Sequence, residues 1–128
     1  MNKINVKVVD VKESGDLCHL FLSSGELNLG LVMLANHFKK GDEIAVGFKE
    51  SAVAVSRNGN ENLSYSNQIL VEIESLVEGE ILTKVVGKVF DDELKITSVI
   101  TASSAKRLEL KVGDKVTFLV KATDMFVV

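Results

Sequence analysis

The chain has 128 residues, a net charge of −3 and a hydrophobic fraction of 46%. This length suits one ordinary domain or two very small ones, and the composition excludes an intrinsically disordered chain. Nucleic-acid-binding domains usually present a basic face and several aromatic side chains. The acidic balance, with one Tyr and six Phe, argues against nucleic acid as a partner.

Cysteine and histidine are too sparse for a disulfide or a zinc site. Cys18 is the only cysteine, and His19 and His37 are the only histidines. We interpret all three as packing or surface residues and expect no metal site. The N-terminus lacks the apolar core of a secretory signal, and no apolar run approaches the roughly 20 residues of a membrane helix. We therefore expect a cytoplasmic protein with no membrane partner.

An internal repeat sets the domain organisation. Asn2-Lys3-Ile4-Asn5-Val6 aligns with Asn67-Gln68-Ile69-Leu70-Val71. Further along, Lys39-Lys40-Gly41-Asp42-Glu43-Ile44 aligns with Lys111-Val112-Gly113-Asp114-Lys115-Val116. The repeat predicts one module over 1–58 and a second over 64–128. Residues 59–63 form the predicted linker, which is polar and contains a glycine.

Both modules carry the pattern of short β-strands. In the first, Ile44, Val46 and Phe48 alternate with more polar residues, and Lys49 follows on the opposite face. The second module has the same alternation, carried by Val116, Phe118, Val120 and then Lys121. The Gly-Asp pair before each of these strands predicts a turn.

The helical signal is short. Residues 103–110 predict two helical turns entered through a serine cap, whereas Leu34-Ala35-Asn36-His37-Phe38 predicts at best one turn. The predicted fold is all-β, with two tandem OB-type small β-barrels. Each barrel has about five strands and one short helix. A generic small β-barrel fits the pattern equally well.

Three polar segments follow the linker and share one chemical character. They are Ser64-Tyr65-Ser66-Asn67-Gln68, Ile100-Thr101-Ala102-Ser103-Ser104 and Lys121-Ala122-Thr123. Their hydroxyl, amide and ammonium groups donate hydrogen bonds, and no carboxylate or histidine lies among them. Such a set suits binding of a small oxyanion. On spacing alone, Thr101 or Ser104 is also an ordinary helix cap, and Lys121 an ordinary solvated lysine.

The order of these segments resembles the Mop, or molbindin, family of molybdate- and tungstate-binding proteins, also called the TOBE domain. That module opens with Ser-Ala-Arg-Asn-Gln, continues to an Ile-Thr-Ala-x-Ser turn and ends on Ile-Lys-Ala-Thr. The resemblance is strong over 64–128 and weaker over 1–58. It implies molybdate or tungstate as the bound ligand. The implied binding residues are Ser64, Ser66, Asn67, Thr101, Ser104, Lys121 and the backbone near Ala122.

The resemblance also implies assembly. Sites in this family form between modules, so we expect a homo-oligomer, with a trimer favoured and a dimer as the alternative. Two departures matter. Ser66 stands in place of the family arginine, which removes a charge that Arg57, Lys106 or Lys49 would have to replace. Val32-Met33-Leu34 replaces the threonine-containing turn of the first module, whose site we interpret as degenerate.

The function implied by the resemblance is cytoplasmic oxyanion binding for storage, buffering or homeostasis. One alternative is a sensor module that acts on a transporter or a transcription partner. Another is an OB-type oligonucleotide binder. An enzyme has the least support, because no serine has a recognisable His and Asp partner. The remaining carboxylates, Glu72, Glu74, Glu78 and Glu80, read as a solvated acidic face.

Overall fold

The computed structural model of the chain describes residues 1–34, 37–58, 62–90 and 92–128. Its regular structure there is almost entirely β. The first-repeat strands are β1 (Asn2–Ser14), β2 (Leu17–Ser24), β3 (Leu27–Leu34), β4 (Glu43–Phe48) and β5 (Ala54–Ser56). The others are β6 (Asn67–Glu78), β7 (Leu82–Val89), β8 (Lys95–Thr101), β9 (Lys115–Val120) and β10 (Phe126–Val127). A helix, α1 (Ala102–Arg107), and two 3-10 turns (Glu50–Ala52 and Ala122–Asp124) complete the described elements.

The strands form two five-stranded sheets that exchange their last strands. One sheet has the order β10-β4-β1-β2-β3 and the other β5-β9-β6-β7-β8. Strand β5 belongs to the first repeat but pairs with β9, and β10 belongs to the second repeat but pairs with β4. The sequence repeat therefore does not coincide with the sheets. The module limits 1–58 and 64–128 remain a prediction about the repeat.

Each sheet is curled around a long strand that serves two partners. The first half of β1 pairs with β4 and its second half with β2, and β6 divides in the same way between β9 and β7. Register shifts lie at equivalent places, between Val8 and Asp10 and between Ile73 and Ser75. Such irregularities bend a strand and increase its twist. The predicted pair of five-stranded OB-type units is confirmed.

The two predicted Gly-Asp turns are present and alike. Gly41 has a φ of 98° and Gly113 a φ of 92°, values that favour glycine. The carboxylate that follows accepts a backbone N–H three residues earlier, from Lys39 to Asp42 at 2.8 Å and from Lys111 to Asp114 at 3.0 Å. The repeat is thus visible in local geometry as well as in sequence.

One contiguous apolar core links the two sheets. Its fully buried members include Phe48 from β4 and Phe118 from β9. Val46, Val116 and Val120 are buried as the alternation predicts, and Ile44 is partly buried. The prediction of one outward face is wrong for β9, because Thr117 and Leu119 between these positions are buried as well. Lys49 and Lys121 are exposed, as predicted. Because modules of this size are marginal alone, the shared core is the main source of their stability.

The helix begins earlier and ends sooner than predicted. Thr101, and not a serine, caps it: its Oγ1 accepts the Ser104 N–H at 3.1 Å. It stops at Arg107, and Glu109 then takes a left-handed φ of 53°. In the first repeat, the predicted turn falls partly on residues 35 and 36, which lie outside the described residues; His37 and Phe38 are not helical. Linker residues 59–61 also lie outside them. No helix in the described ranges has the length and apolar character needed to cross a bilayer.

Candidate functional site

A cleft of about 560 Å³ opens where the end of β8 and the start of α1 meet the end of β9. Both repeats contribute to it. The first 3-10 turn and β5 supply one wall, and the second repeat supplies the rest. The lining residues are Ser51, Ala52, Val53, Ala54, Tyr65, Leu82, Val99, Ile100, Thr101, Ser104, Lys121 and Asp124. Three side chains of the predicted binding set, Thr101, Ser104 and Lys121, therefore share one cleft.

A network of hydroxyl groups lies at the N-terminus of α1. The Thr101 hydroxyl donates to Ser104 Oγ at 2.8 Å, and the Arg107 Nη2 donates to the same oxygen at 3.1 Å. A serine hydroxyl has two acceptor positions and one donor. Both acceptor positions of Ser104 are thus filled, and within the described residues its O–H has no acceptor. The free proton of Ser104 is available to a ligand in the cleft.

Lys121 provides the cationic wall of the cleft. It follows β9 directly and precedes the second 3-10 turn with extended backbone angles (φ −68°, ψ 143°). Lys49 occupies the equivalent place before the first 3-10 turn, with φ −68° and ψ 146°. The four ion pairs among the described residues do not include either lysine. Within the described residues the Lys121 ammonium therefore makes no direct ion pair with a carboxylate.

Asp124 also lines the cleft, and the sequence analysis missed it. It lies one residue beyond the Lys121-Ala122-Thr123 segment, so the motif does not include this carboxylate. The second 3-10 turn keeps Asp124 close to Lys121, because the Asp124 N–H donates to the Lys121 carbonyl at 3.0 Å. A carboxylate opposes an anionic ligand, so Lys121 and Asp124 have opposite electrostatic effects on this cleft.

The opening segment reaches the cleft only through Tyr65, which is half-buried. Ser64 and Ser66 are exposed and do not line it within the chain. Ser66 instead lies over β3: its Oγ is 3.8 Å from the position that a Cβ on Gly30 would take, and His19 Nε2 is 3.0 Å from the same point. Ala122 is half-buried in the second 3-10 turn, beside Lys121.

Asn67 is fully buried, and its amide is occupied by the first sheet. Its Oδ1 accepts the Gly30 N–H at 2.7 Å, and its Nδ2 donates to the Gly30 carbonyl at 2.9 Å. In the chain as it stands, this side chain has a structural role in joining the sheets and does not line the cleft.

The first repeat lacks most of the donor set. Leu34 pairs with Leu17 in the first sheet, as Thr101 pairs with Leu82 in the second. Leu34 therefore occupies the position in the first repeat that Thr101 occupies in the second. A smaller cleft of about 330 Å³ is lined by Met1, Lys49, Glu50, Ser51 and Val99. Lys49 therefore belongs to this neighbouring cleft.

The three cations suggested in place of the family arginine are not equivalent. Arg57 is engaged elsewhere, with Nε on the Leu108 carbonyl at 2.7 Å and Nη2 on Asp114 Oδ2 at 2.8 Å. This contact lowers the pKa of the Asp114 carboxyl from its ordinary value, chiefly through the Arg57 hydrogen bond. Lys106 is exposed on α1. Arg107 does not line the cleft, but its guanidinium contacts Ser104, which does, and the sequence motifs did not include it.

The histidine and cysteine of β2 and the four glutamates take packing or surface positions. His19 stacks on Phe21 with ring centroids 4.2 Å apart, and Cys18 is buried in the core. The four glutamates of the acidic face are all exposed. No group of three or more metal-ligating side chains occurs in the part of the chain that the structure describes.

The fold and the cleft define a protein of tandem OB-type β-units with a donor-lined surface cleft. Residues 63–127 match the TOBE domain, about half of the chain, and the chain belongs to the TOBE domain family. No match was found among curated protein sequences.

The solved structures to which the chain is similar include the following two. One is ModG, a cytoplasmic molybdate-binding protein solved with molybdate bound, at 20% identity and a TM-score of 0.93 over 98% of this chain and 94% of that one. This likeness establishes the fold of the whole chain. The other is MopII from Clostridium pasteurianum, at 31% identity and a TM-score of 0.49 over 52% of this chain and 98% of that one.

Proposed function

We propose that the chain binds a small tetrahedral oxyanion, molybdate or tungstate, in the cleft of about 560 Å³. The observation that carries this proposal is the convergence of Thr101, Ser104 and Lys121 on one cleft in a TOBE-family chain. These residues are separated in sequence, so their meeting is a property of the fold. ModG, which has the same fold, is a molybdate-binding protein, and this supports the choice of anion.

The chemistry of the donors supports a fully deprotonated anion. Molybdate near neutral pH carries two negative charges and only acceptor oxygens, so it requires donors on every side. The Ser104 O–H and the Lys121 ammonium supply a neutral and a charged donor, and bonds to charged groups are the stronger kind. The backbone near Ala122 adds a further donor in this proposal.

The cleft is open, and a second copy of the chain completes it in this proposal. Ile81 and Leu82, beside the cleft, are 78% and 54% exposed, which is typical of apolar residues that another surface covers. Ser64 and Ser66 are exposed and free to face a neighbouring copy. We therefore propose a homo-oligomer, a trimer in preference to a dimer, in which these serines approach the Thr101 and Lys121 of another copy.

The biological role that follows is cytoplasmic storage, buffering or homeostasis of the oxyanion. The anion is a bound ligand in this proposal and undergoes no reaction. Release on demand requires reversible binding, and an open cleft that contains Asp124 favours reversibility over very tight capture.

Calorimetric titration tests this function. We expect heat and saturation with molybdate and with tungstate, and much weaker binding of sulfate and phosphate at the same ionic strength. Native mass spectrometry of the same samples gives the number of subunits and of bound anions. An absence of binding by both molybdate and tungstate at high protein concentration would reject the proposed function.

A further inference from the structure

We propose that Arg107 is an anion-binding residue of the cleft and supplies the positive charge that Ser66 lacks. This inference rests on the proposed function, because it names a further residue of the same site. It starts from a contact that no sequence motif indicated: the Arg107 Nη2 donates to Ser104 Oγ at 3.1 Å.

One hydrogen bond holds the Arg107 guanidinium in place and leaves most of its donors available. Arg107 is the last residue of α1, three positions after Ser104, so both side chains lie on the same face of the helix. Ser104 is the one hydrogen-bond partner of Arg107 within the described residues, and no ion pair there includes Arg107. An arginine has five N–H donors, so most of them remain available to an anion at the cleft.

The charges around the cleft require a second cation. Lys121 and Asp124 both line it, and their charges are opposite. A dianion would therefore meet a lining with no net positive charge. Arg57 is tied to Leu108 and Asp114, and Lys49 lines the neighbouring cleft. Arg107 is the cation whose contact with a lining side chain restores a positive balance.

Arg107 also acts through Ser104. The guanidinium and the Thr101 hydroxyl fill both acceptor positions of Ser104 Oγ, which leaves its O–H as a donor. A hydrogen bond from a charged donor polarises the hydroxyl and strengthens the bond that it makes in turn. Lysine in this position would preserve the charge but not the planar fork, so the two contributions are separable.

Three single variants of the full-length protein test the inference: Arg107→Gln, Arg107→Lys and, as a control, Lys106→Gln. Lys106 is exposed on the same helix, so its substitution removes the same charge without a contact to Ser104. Each variant is titrated with sodium molybdate at low and at moderate salt, after its thermal unfolding has been compared with that of the original chain.

We expect Arg107→Gln to weaken molybdate binding roughly tenfold or more, because a hydrogen bond to a charged group is lost. Lys106→Gln should change affinity by about twofold or less, since exposed charges are screened. The loss of affinity in Arg107→Lys should lie between the losses in these two variants. Equal effects of the two glutamine substitutions, with the original chain binding molybdate normally, would overturn the role of Arg107 alone. Failure of the original chain to bind would overturn the proposed function and this inference together.

Discussion

Asn2 and Asn67 make the same pair of hydrogen bonds in opposite directions between the two sheets. Asn2 exchanges two bonds with the backbone of Thr97, both at 2.8 Å, and Asn67 exchanges two with Gly30, at 2.7 and 2.9 Å. Thr97 and Gly30 lie on β8 and β3, the outermost strands of their sheets. Each asparagine therefore pairs with an edge strand of the other sheet, as a neighbouring peptide would.

Replacing Asn67 with alanine should destabilise the fold by roughly 2–4 kcal/mol, because two buried backbone groups of Gly30 lose their partners. Asn5→Ala is the matched control, since Asn5 is exposed on β1. Urea unfolding of both variants measures the free energy of unfolding. If Asn67→Ala unfolds with the same free energy as Asn5→Ala, the two hydrogen bonds do not hold the sheets together.

The sequence was sufficient for the repeat, for the strand content and for three side chains of the cleft, Thr101, Ser104 and Lys121. Alternation of Val116, Phe118 and Val120 identified β9, and the Gly113-Asp114 turn marked its start. The sequence did not predict that β5 and β10 each pair with a strand of the other repeat. These strands have three and two residues, so their partners are chosen by tertiary contacts and not by local pattern.

Gly47 is an example of a tertiary contact that determines which strand β10 pairs with. A Cβ on Gly47 would lie 3.0 Å from the Phe126 ring and 2.9 Å from Val128, so the bare backbone lets β10 lie against β4. Asn67 shows that the type of a side chain does not by itself predict its role. The Asn67 amide is a suitable anion donor, but in the structure it is buried and hydrogen-bonded to Gly30. Asp124 and Arg107 lay outside the motif segments and were found from the geometry of the cleft.

The Arg57–Asp114 contact should make stability depend on pH in the acid range. Arg57 holds the pKa of Asp114 below its ordinary 3.8. The folded pKa is therefore the lower one, so this contribution is fully present above pH 3.8 and is lost as pH falls through the folded pKa. We expect Asp114→Asn to be less stable than the original chain at pH 7, with the difference closing below pH 3.8. Urea unfolding at several pH values measures it; a difference that stays constant down to pH 3 or below would contradict this assignment.

Lys121 and Lys49 offer a matched comparison between the repeats. Both are exposed lysines that precede a 3-10 turn with nearly the same backbone angles. We expect Lys121→Gln to weaken molybdate binding roughly tenfold or more, because the charged donor of the cleft is lost. Lys49→Gln should have a small effect, since Lys49 lines the other cleft. Calorimetric titration distinguishes them, and a larger loss in Lys49→Gln would assign the site to the first repeat.

Asp124 should limit affinity. Its carboxylate lines the cleft and repels an anion, so Asp124→Asn should tighten molybdate binding by a few fold. The gain should be largest at low salt, where this repulsion is least screened. Asp16→Asn, at an exposed hairpin position, changes net charge equally and serves as the control. Titration of the two variants in parallel gives the comparison. Weaker binding in Asp124→Asn would mean that the carboxylate supports the site, for example by orienting Lys121.

The position of the bound anion tests the central claim most directly. Molybdenum scatters anomalously, so crystals of the full-length protein grown with molybdate would locate it independently of any interpretation of the cleft. We expect an anomalous peak within hydrogen-bond reach of the Ser104 hydroxyl and the Lys121 ammonium, with a serine of the 64–66 segment from another copy beside it. Molybdenum bound only in the cleft of Lys49, or away from both clefts, would contradict the account.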